Sequence, residues 1–343
     1  MQIARYDSGK TDHARIGVAR EAEMTENRDE LLARVAGLYY EDGWTQEQIS
    51  ARLGYSRSSI SRLLTEARRS GIVEIHVHYP LERVPGLEQR LQSQFDLHGA
   101  RVLRSQGLAY AEMLRRLGNL GARWLEENLT GSSILGISWG TALYEVASAL
   151  RPVPGTGVRV VQMIGSATSR DHEVDGPGLA RAFARRLDGQ YYTLPAPWLV
   201  NDCRVRAALM EDRRIREILD LAAQADIALV GIGVTDSALS SMVRAGYLSV
   251  EQAGALKSLG AVGDVCGHHF DLQGGLMDIP QAGYAIGIGA EVLRGLPCVI
   301  GVAGGEAKAP AILGALRARL VNALITDDLA ARQVLELSQP LEA

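Results

Sequence analysis

The stretch WTQEQISARLGYSRSSISRLLTEARRSG, residues 44–71, contains two closely spaced helix starts. Thr45 and Gln48 have the spacing of a capping box, in which each side chain can satisfy a backbone N–H of the first turn. Gly54 then permits the left-handed backbone that ends a helix, and Ser56 is a good N-cap for the next one. Two capped helices joined by a tight glycine-containing turn predict a helix-turn-helix.

The second of these helices separates into an apolar and a polar face. Ile60, Leu63, Leu64 and Ala67 recur at helical spacing and should pack inward. Arginine can pair bidentately with guanine, and small hydroxyls can approach bases or phosphates, so the outward face has DNA-reading chemistry. The alternative interpretation is a basic face that is only solvated. The candidate DNA contacts are Thr45, Gln46, Ser56, Arg57, Ser58, Ser59, Ser61 and Arg62.

The sequence on either side suggests four regions. Residues 1–27 are polar and aperiodic, which indicates a mobile arm. Residues 28–80 form the helix-turn-helix domain, with a first helix from about Asp29 and a closing strand over 72–79. Residues 81–98 carry Leu87, Leu91 and Phe95 on one helical stripe, which suits a helix that links domains or pairs subunits. Residues 99–343 form the larger domain.

Short apolar strands alternate with amphipathic helices in that larger domain. The strands are expected over 134–138, 158–164, 227–234 and 298–303. Such alternation predicts an α/β fold with a mostly parallel sheet covered by helices. Ligands of such folds bind where the carboxyl ends of the strands meet the loops.

Three glycine-containing loops follow these strands. In GISWGT, backbone amides, a helix N-terminus and the hydroxyls of Ser138 and Thr141 can converge on an anion such as phosphate. GIGVTDS has Asp236 where the dinucleotide fingerprint needs glycine, and GGEAKAP lacks the Gly-Lys-Ser/Thr of a Walker A loop, so no nucleotide cofactor is expected. Lys308 in the third loop, and Asp264 elsewhere, could complete one polar pocket.

Composition excludes several classes of protein. With 343 residues, the chain is long enough for two domains, and no apolar run reaches the roughly 18 residues that a membrane span needs. Three scattered cysteines favour a reducing compartment, and we expect a cytoplasmic protein. Cys266 and His268 lack further ligands at suitable spacing, so no metal site is expected. The net charge of −4 still allows one basic face.

Several segments together resemble the SorC-type sugar-responsive transcriptional regulators, which are sometimes grouped with the deoxyribonucleoside-type repressors. The resemblance begins near residue 29. It is carried by YYEDGWTQEQISARLGYSRSSISRLLTEARRSGIVEI (39–75), GISWGTAL (136–143), ADIALVGIGV (225–234), GAVGDVCGHHFDLQG (260–274) and VIGVAGGEAKAPAILGALRARLVNALITDDLAA (299–331).

This resemblance implies a Rossmann-like domain related to sugar-phosphate isomerases, phosphorylated sugars as effectors, and dimers or tetramers on operator DNA. It places Ser138, Gly140 and Thr141 in a phosphate-holding loop, Asp264 at an acidic effector contact and Lys308 at a basic one. The candidate effector-binding residues are Ser138, Trp139, Gly140, Thr141, Gly165, Asp264 and Lys308.

We therefore expect a DNA-binding regulator controlled by a phosphorylated sugar or polyol, and no catalysis. One alternative is a sugar-phosphate isomerase or lactonase-like enzyme, with Asp264 as the base and Lys308 as an electrostatic aid. Another is a DNA-bound scaffold whose pocket has degenerated.

Overall fold

The computed structural model describes residues 28–73, 81–152, 155, 157–166, 175–279 and 284–339. The chain divides into two compact units near residue 77. The predicted arm over 1–27 lies outside the described residues, as does most of the predicted strand over 72–79. Ile72 and Val73, the first two residues of that strand, lie in a turn instead, and the amide of Val73 donates to the carbonyl of Ala67 at 3.0 Å.

The first unit is a three-helix domain. Helix α1 spans 28–40, α2 spans Gln46–Leu53 and α3 spans Arg57–Arg69. The predicted caps are confirmed: Thr45 and Gln48 form a capping box, Gly54 has φ 75°, and Ser56 accepts from the amide of Ser59. The three helices bury one apolar cluster, composed of Leu32, Val35, Ala36, Ile49, Ile60, Leu63, Leu64 and Ala67.

The second unit is built on the predicted parallel sheet, which is confirmed. Its seven strands run in the order β1-β13-β12-β6-β2-β3-β4, and each neighbouring pair is parallel. The strands are β1 (Gly99–Leu103), β2 (Ile134–Ile137), β3 (Arg159–Gln162), β4 (Gln190–Tyr192), β6 (Ile227–Gly231), β12 (Val299–Val302) and β13 (Ala323–Asp327).

Helices cover both faces of this sheet, so the central strands are apolar on both sides. One face carries α5 (Tyr110–Asn128), α6 (Thr141–Ala149) and α7 (Gly176–Arg186). The other carries α4 (Pro85–Phe95), α9 (Arg213–Ala222), α12 (Ala290–Gly295), α13 (Ala309–Arg317) and α14 (Asp328–Leu337). Strand β6 illustrates the alternation, since Ile227 and Leu229 pack in the first layer and Ala228 and Val230 in the second.

Helix α4 packs its apolar stripe inside the second unit. The expected role of this helix in linking domains or pairing subunits stays a prediction. Leu87 and Leu91 are buried in the core of the second unit, and Phe95 packs against the same cluster. The spacing of Leu87, Leu91 and Phe95 indicated that one face of this helix packs against an apolar surface. That surface is the core of the second unit.

The single strand predicted over 227–234 was wrong, because this segment forms two strands. Strand β6 ends at Gly231, and β7 (Gly233–Val234) joins a separate antiparallel sheet in the order β10-β9-β8-β7. The other members are β8 (Ala261–Val265), β9 (His268–Asp271) and β10 (Leu276–Met277). The chain therefore leaves the main sheet at Ile232.

The remaining elements are short. Strands β5 (Leu199–Val200) and β11 (Tyr284–Ala285) pair with each other, and three helices complete the unit: α8 (Cys203–Met210), α10 (Ser241–Arg244) and α11 (Val250–Ser258). None of the helices in the described residues combines the length and apolar character that crossing a bilayer requires.

Candidate functional site

A cleft of the second unit lies where the order of the sheet reverses. The chain proceeds from β2 outward to β3 and β4, and then returns to β6 on the other side of β2. This is a topological switch point, where the loops after neighbouring strands diverge and leave a crevice. The cleft contains about 670 Å³ of empty space, part of it open to solvent. It is lined by Ser138, Trp139, Gly140, Thr141, Gly233, Arg244, Asp264, Lys308 and others.

The loop after β2 presents the start of helix α6 to this cleft. Gly140 has φ 132° and ψ 165°, a backbone conformation that favours glycine, and α6 begins at the next residue. No side chain caps the first turn of α6. Unpaired amides and the helix dipole at such a terminus favour a bound anion.

Ser138 supports this loop more than it faces the cleft. Its side chain is buried, and Oγ accepts a hydrogen bond from the amide of Gly231 at 3.2 Å. The hydroxyl thereby fixes the loop after β2 against the end of β6. The neighbouring Thr141 hydroxyl lies on an exposed residue at the cleft.

Lys308 brings a cation to the same cleft from the loop after β12. Its Nζ donates to the carbonyl of Ile232 at 3.1 Å. Burial, and after it the nearby charge of Arg244, lower the pKa of Lys308 to about 8, while the charge of Asp264 acts in the opposite direction. The charge of Lys308 is therefore responsive to its surroundings near neutral pH.

A buried carboxylate holds the Lys308 loop in place. Asp327, at the end of β13, accepts from the amide of Gly305 through Oδ1 at 2.6 Å and from the hydroxyl of Ser105 through Oδ2 at 2.8 Å. Gly304 is also restricted, because an added Cβ would lie 2.4 Å from Leu117 Cδ1. The hydrogen bond to Asp327 and the packing against Leu117 therefore fix the position of this glycine-rich loop.

Asp264 supplies an acceptor on the far side of the cleft. It lies on β8, directly opposite His269 of β9, and its Oδ2 accepts from the amide of Gly267 at 3.3 Å. Burial lowers the pKa of His269, and the charge of Asp264 opposes that shift. The cleft thus combines donors and cations at one end with a carboxylate at another.

One predicted effector-binding residue lies elsewhere: Gly165 is not among the lining residues. An added Cβ there would lie 2.3 Å from the carbonyl oxygen of Pro197, so this glycine serves a close approach of two backbone segments. Cys266 does line the cleft, where burial raises the pKa of its thiol, and His268 bonds to the carbonyl of Ile288. Within the described residues, no three His, Cys, Asp or Glu side chains gather as a metal would require.

Sequence reasoning missed several residues of the cleft. Arg244, Trp198 and Tyr110 line it, but none belongs to the three glycine-containing loops. Arg244 ends the short helix α10, and Trp198 precedes the two-residue strand β5. No local motif marks these positions, because the tertiary fold alone brings them to the cleft.

In the first unit, the predicted DNA contacts lie at or beside the start of α3. Arg57, Ser58, Ser61 and Arg62 are exposed, while Ser59 is partly buried. The hydroxyl of Ser56 is within 2.9 Å of that of Ser58 and within 2.8 Å of that of Ser59. Thr45 and Gln46 share a surface groove with Arg57.

The positive charge on the exposed face of α3 is offset by very few acidic residues. Glu66 is the only acidic residue in the stretch 52–69, and Arg28 binds it through two hydrogen bonds of 3.1 and 2.6 Å. This pairing lowers the pKa of the Glu66 carboxyl. The arginines of α3 are exposed to solvent. Since Arg28 already binds Glu66, the stretch 52–69 offers these arginines no other acidic partner.

Comparison with known proteins relates both units to regulators. The family described as "Putative sugar-binding domain" matches residues 79–336, and the family described as "Sigma-70, region 4" matches residues 33–70. The deoxyribonucleoside regulator of Bacillus subtilis is 34% identical over 310 residues, which cover 90% of this chain and 98% of that protein. The chain belongs to the SorC family of transcriptional regulators.

SorC-family structures share the fold as well. The full-length sorbitol operon regulator SorC from Klebsiella pneumoniae aligns with a TM-score of 0.67 at 32% identity, over 90% of this chain and 99% of that one. The transcriptional regulator LsrR of an Enterobacter strain is 34% identical over 93% of this chain and 97% of its own length. These relatives are transcriptional regulators rather than enzymes, and this SorC-family chain is a regulator with a sugar-binding domain.

Proposed function

We propose that the chain binds operator DNA through α3 and is controlled by a phosphorylated sugar or polyol in the cleft of the second unit. The observation that carries the proposal is the convergence of the uncapped start of α6 with Lys308 and Arg244 in one crevice. Two cations and free helix amides match a phosphate, which presents several acceptor oxygens and up to two negative charges.

The rest of the cleft suits the carbon skeleton of such an effector. Asp264 accepts hydrogen bonds, and hydroxyl groups of a sugar or polyol can donate them. A lone inorganic phosphate would gain nothing from this carboxylate and would be repelled by its charge. The effector is therefore a phosphate that carries hydroxyl-bearing carbons.

The DNA-reading part of the proposal rests on α3. Its N-terminal turn presents Arg57 and Ser58, and Arg62 follows one turn later, as a recognition helix in the major groove requires. A single helix-turn-helix covers one half-site, and pairing two half-sites raises affinity, so the functional form is a homodimer or homotetramer. We assign DNA reading to residues 28–80 and effector binding to residues 99–343.

Thermal unfolding of the full chain tests the effector assignment. The ligands are a panel of pentose, hexose and polyol monophosphates, the same compounds without phosphate, and inorganic phosphate. A specific ligand at 100 times its Kd should add about 2.7 kcal/mol to the free energy of unfolding. We expect only phosphorylated compounds to act, and Lys308→Ala to abolish the effect.

Lys257→Ala is the matched control, because Lys257 lies on the exposed surface of α11, 3.6 Å from Asp236 and away from the cleft lining. It should respond to the panel as the unaltered chain does. If only unphosphorylated polyols raise the unfolding temperature, the phosphate assignment is wrong.

A further inference from the structure

Two tryptophans form one wall of the cleft. Trp139 belongs to the loop after β2, and Trp198 directly precedes β5. Their rings meet edge to face, with centroids 4.9 Å apart and planes at 85°. Tyr247 contacts Trp198 in the same manner at 5.0 Å and 86°. The three rings pack in series, a geometry that aromatic quadrupoles favour.

The position of Trp198 is fixed from several sides. Its amide donates to the carbonyl of Ser166 at 3.0 Å, and its carbonyl accepts from the amide of Ile286 at 2.8 Å. The residue is only 2% exposed. An added Cβ at Gly267 would lie 3.3 Å from the indole nitrogen of Trp198. The backbone at Gly267 therefore packs closely against the indole ring. The indole is therefore held in place before any ligand arrives.

The indole N–H groups of both tryptophans are buried, and neither has a hydrogen-bond acceptor among the residues that the structure describes. An indole N–H can only donate, so no other arrangement of its own atoms satisfies it. Buried donors without acceptors are rare in folded proteins, because each loses its bond to water without replacement. Two such donors on adjacent rings in one cleft indicate that a ligand supplies the acceptors.

We propose that Trp139 and Trp198 form a specificity subsite that reads the unphosphorylated, oxygen-bearing part of the effector. Their N–H groups donate to its hydroxyl or carbonyl oxygens, and the accessible part of the half-buried Trp139 ring contacts its C–H groups. This inference rests on the proposed function, in which α6, Lys308 and Arg244 hold the phosphate. The cleft then has two ends, and a bare phosphate fills only one of them.

Indole ¹⁵N–¹H spectra of the full-length chain test the subsite directly. The sequence has four tryptophans, so four indole signals are expected, and single Trp→Phe variants assign them. The probes are inorganic phosphate and the panel of sugar and polyol monophosphates. The tightest-binding monophosphate should move the signals of Trp139 and Trp198 and leave that of Trp124 in place. Inorganic phosphate should move neither of the cleft signals.

Affinities provide the second measurement. Trp139→Phe and Trp198→Phe each keep an aromatic ring but lose the donor, so each should weaken binding of that monophosphate about tenfold. Neither should change the Kd of inorganic phosphate. Trp124→Phe is the matched control, since Trp124 packs on β1 away from the cleft, and it should bind all probes normally. If Trp198→Phe fails to fold, the affinity of Trp139→Phe and the indole spectra of the unaltered chain still test whether the subsite exists.

The outcomes separate this inference from the function on which it rests. If a monophosphate binds with dependence on Lys308, but the two indole signals stay fixed and both Phe variants bind normally, the subsite is wrong and the proposed function stands. If no monophosphate binds the unaltered chain, the proposed function fails, and the subsite fails with it.

Discussion

The chemistry of Lys308 depends on the fold that surrounds it. A lysine in water has a pKa of 10.5, but burial and the charge of Arg244 lower the pKa of Lys308 to about 8. A phosphate bound beside it, as we propose, would favour the charged form. Effector binding should therefore be linked to the protonation of this one amine.

The pH dependence of effector affinity follows from this pKa. Below about pH 8 Lys308 is charged in the free protein, and above it the charge is lost, so affinity should fall as pH rises from 7 to 9.5. Phosphate monoesters are already dianionic throughout that range. Complete loss of a charge-assisted hydrogen bond corresponds to about 1.5–3 kcal/mol. Isothermal titration calorimetry measures the decline.

Lys308→Arg provides the control for this prediction. The guanidinium stays charged across the whole range, so its affinity should be nearly constant with pH even if it starts lower. An equal decline in the unaltered chain and in Lys308→Arg would show that another group is responsible.

Arg57 and Arg62 are the residues on which DNA recognition should depend. Replacing either with Ala should weaken binding to the chain's own upstream DNA by about 1–3 kcal/mol if that arginine contacts a base. Fluorescence anisotropy with specific and random DNA separates the two kinds of contact. An equal loss on both DNAs would indicate a phosphate contact instead.

Arg214→Ala controls for the loss of one positive charge, because Arg214 is exposed on α9 in the second unit. It should leave DNA affinity unchanged. If Arg57→Ala and Arg62→Ala bind DNA as well as this control does, α3 does not contact DNA through these arginines.

At this scale, sequence reasoning succeeded where a local pattern marked the residue. Gly140, Thr141 and Lys308 were expected at the cleft because each follows an apolar strand and precedes a helix, and all three line it. Trp198 and Arg244 could not be predicted, since they reach the cleft from a short strand and a one-turn helix. Gly165 was misplaced because a glycine after a strand can serve backbone packing as readily as a ligand.

At the scale of elements, the turn between α2 and α3 depends on one backbone conformation. Gly54 has φ 75°, its amide donates to the carbonyl of Ser50 at 3.0 Å, and no atom lies within 4 Å of an added Cβ. Gly54→Ala therefore introduces strain without a clash. It should destabilise this turn by about 1 kcal/mol.

Hydrogen exchange of the α2 and α3 amides in the full chain measures that effect locally. Gly37→Ala is the matched control: it lies within α1, and its added Cβ would come no closer than 3.5 Å to Glu41. Alanine there should slow exchange, because it is the better helix former by about 1 kcal/mol. Equal effects of the two substitutions would contradict the role assigned to the left-handed turn.

The pairing of β7 with β8 determines where Asp264 lies. An added Cβ at Gly233 would come within 2.0 Å of Asp264 Oδ1. Gly233→Ala must therefore displace the carboxylate or separate the two strands, and should cost about 1–3 kcal/mol of stability. Effector affinity should fall with it, as thermal unfolding and calorimetry would show.

Gly254→Ala is the corresponding control, since Gly254 lies in α11 with open space around an added Cβ. It should preserve effector affinity and should not lower the unfolding temperature. If Gly233→Ala behaves in the same way, Asp264 is not held against Gly233 in solution.

Elements were predictable from sequence when they were long or capped. The helices of the first unit and the strands β2, β3 and β12 follow from caps and apolar runs. The break at Ile232 was not predictable, because both halves of IALVGIGV are apolar and only strand pairing separates them. The stripe on α4 likewise indicated burial without identifying the partner.

At the scale of the whole molecule, the chain joins a helix-turn-helix to an α/β domain with a polar cleft at its switch point. An effector can change DNA affinity only if it binds the DNA-competent arrangement and its alternative with different affinities. Couplings of this kind amount to about 1–3 kcal/mol, or 5- to 150-fold in Kd.

We propose that occupation of the cleft changes operator affinity. This proposal is tested by titrating full-length protein onto its upstream DNA, at fixed salt, with and without a saturating sugar monophosphate identified by thermal unfolding. We expect the Kd for that DNA to change at least about fivefold in the unaltered chain, and not at all in Lys308→Ala. An unchanged Kd for DNA, with the cleft demonstrably occupied, would contradict the account.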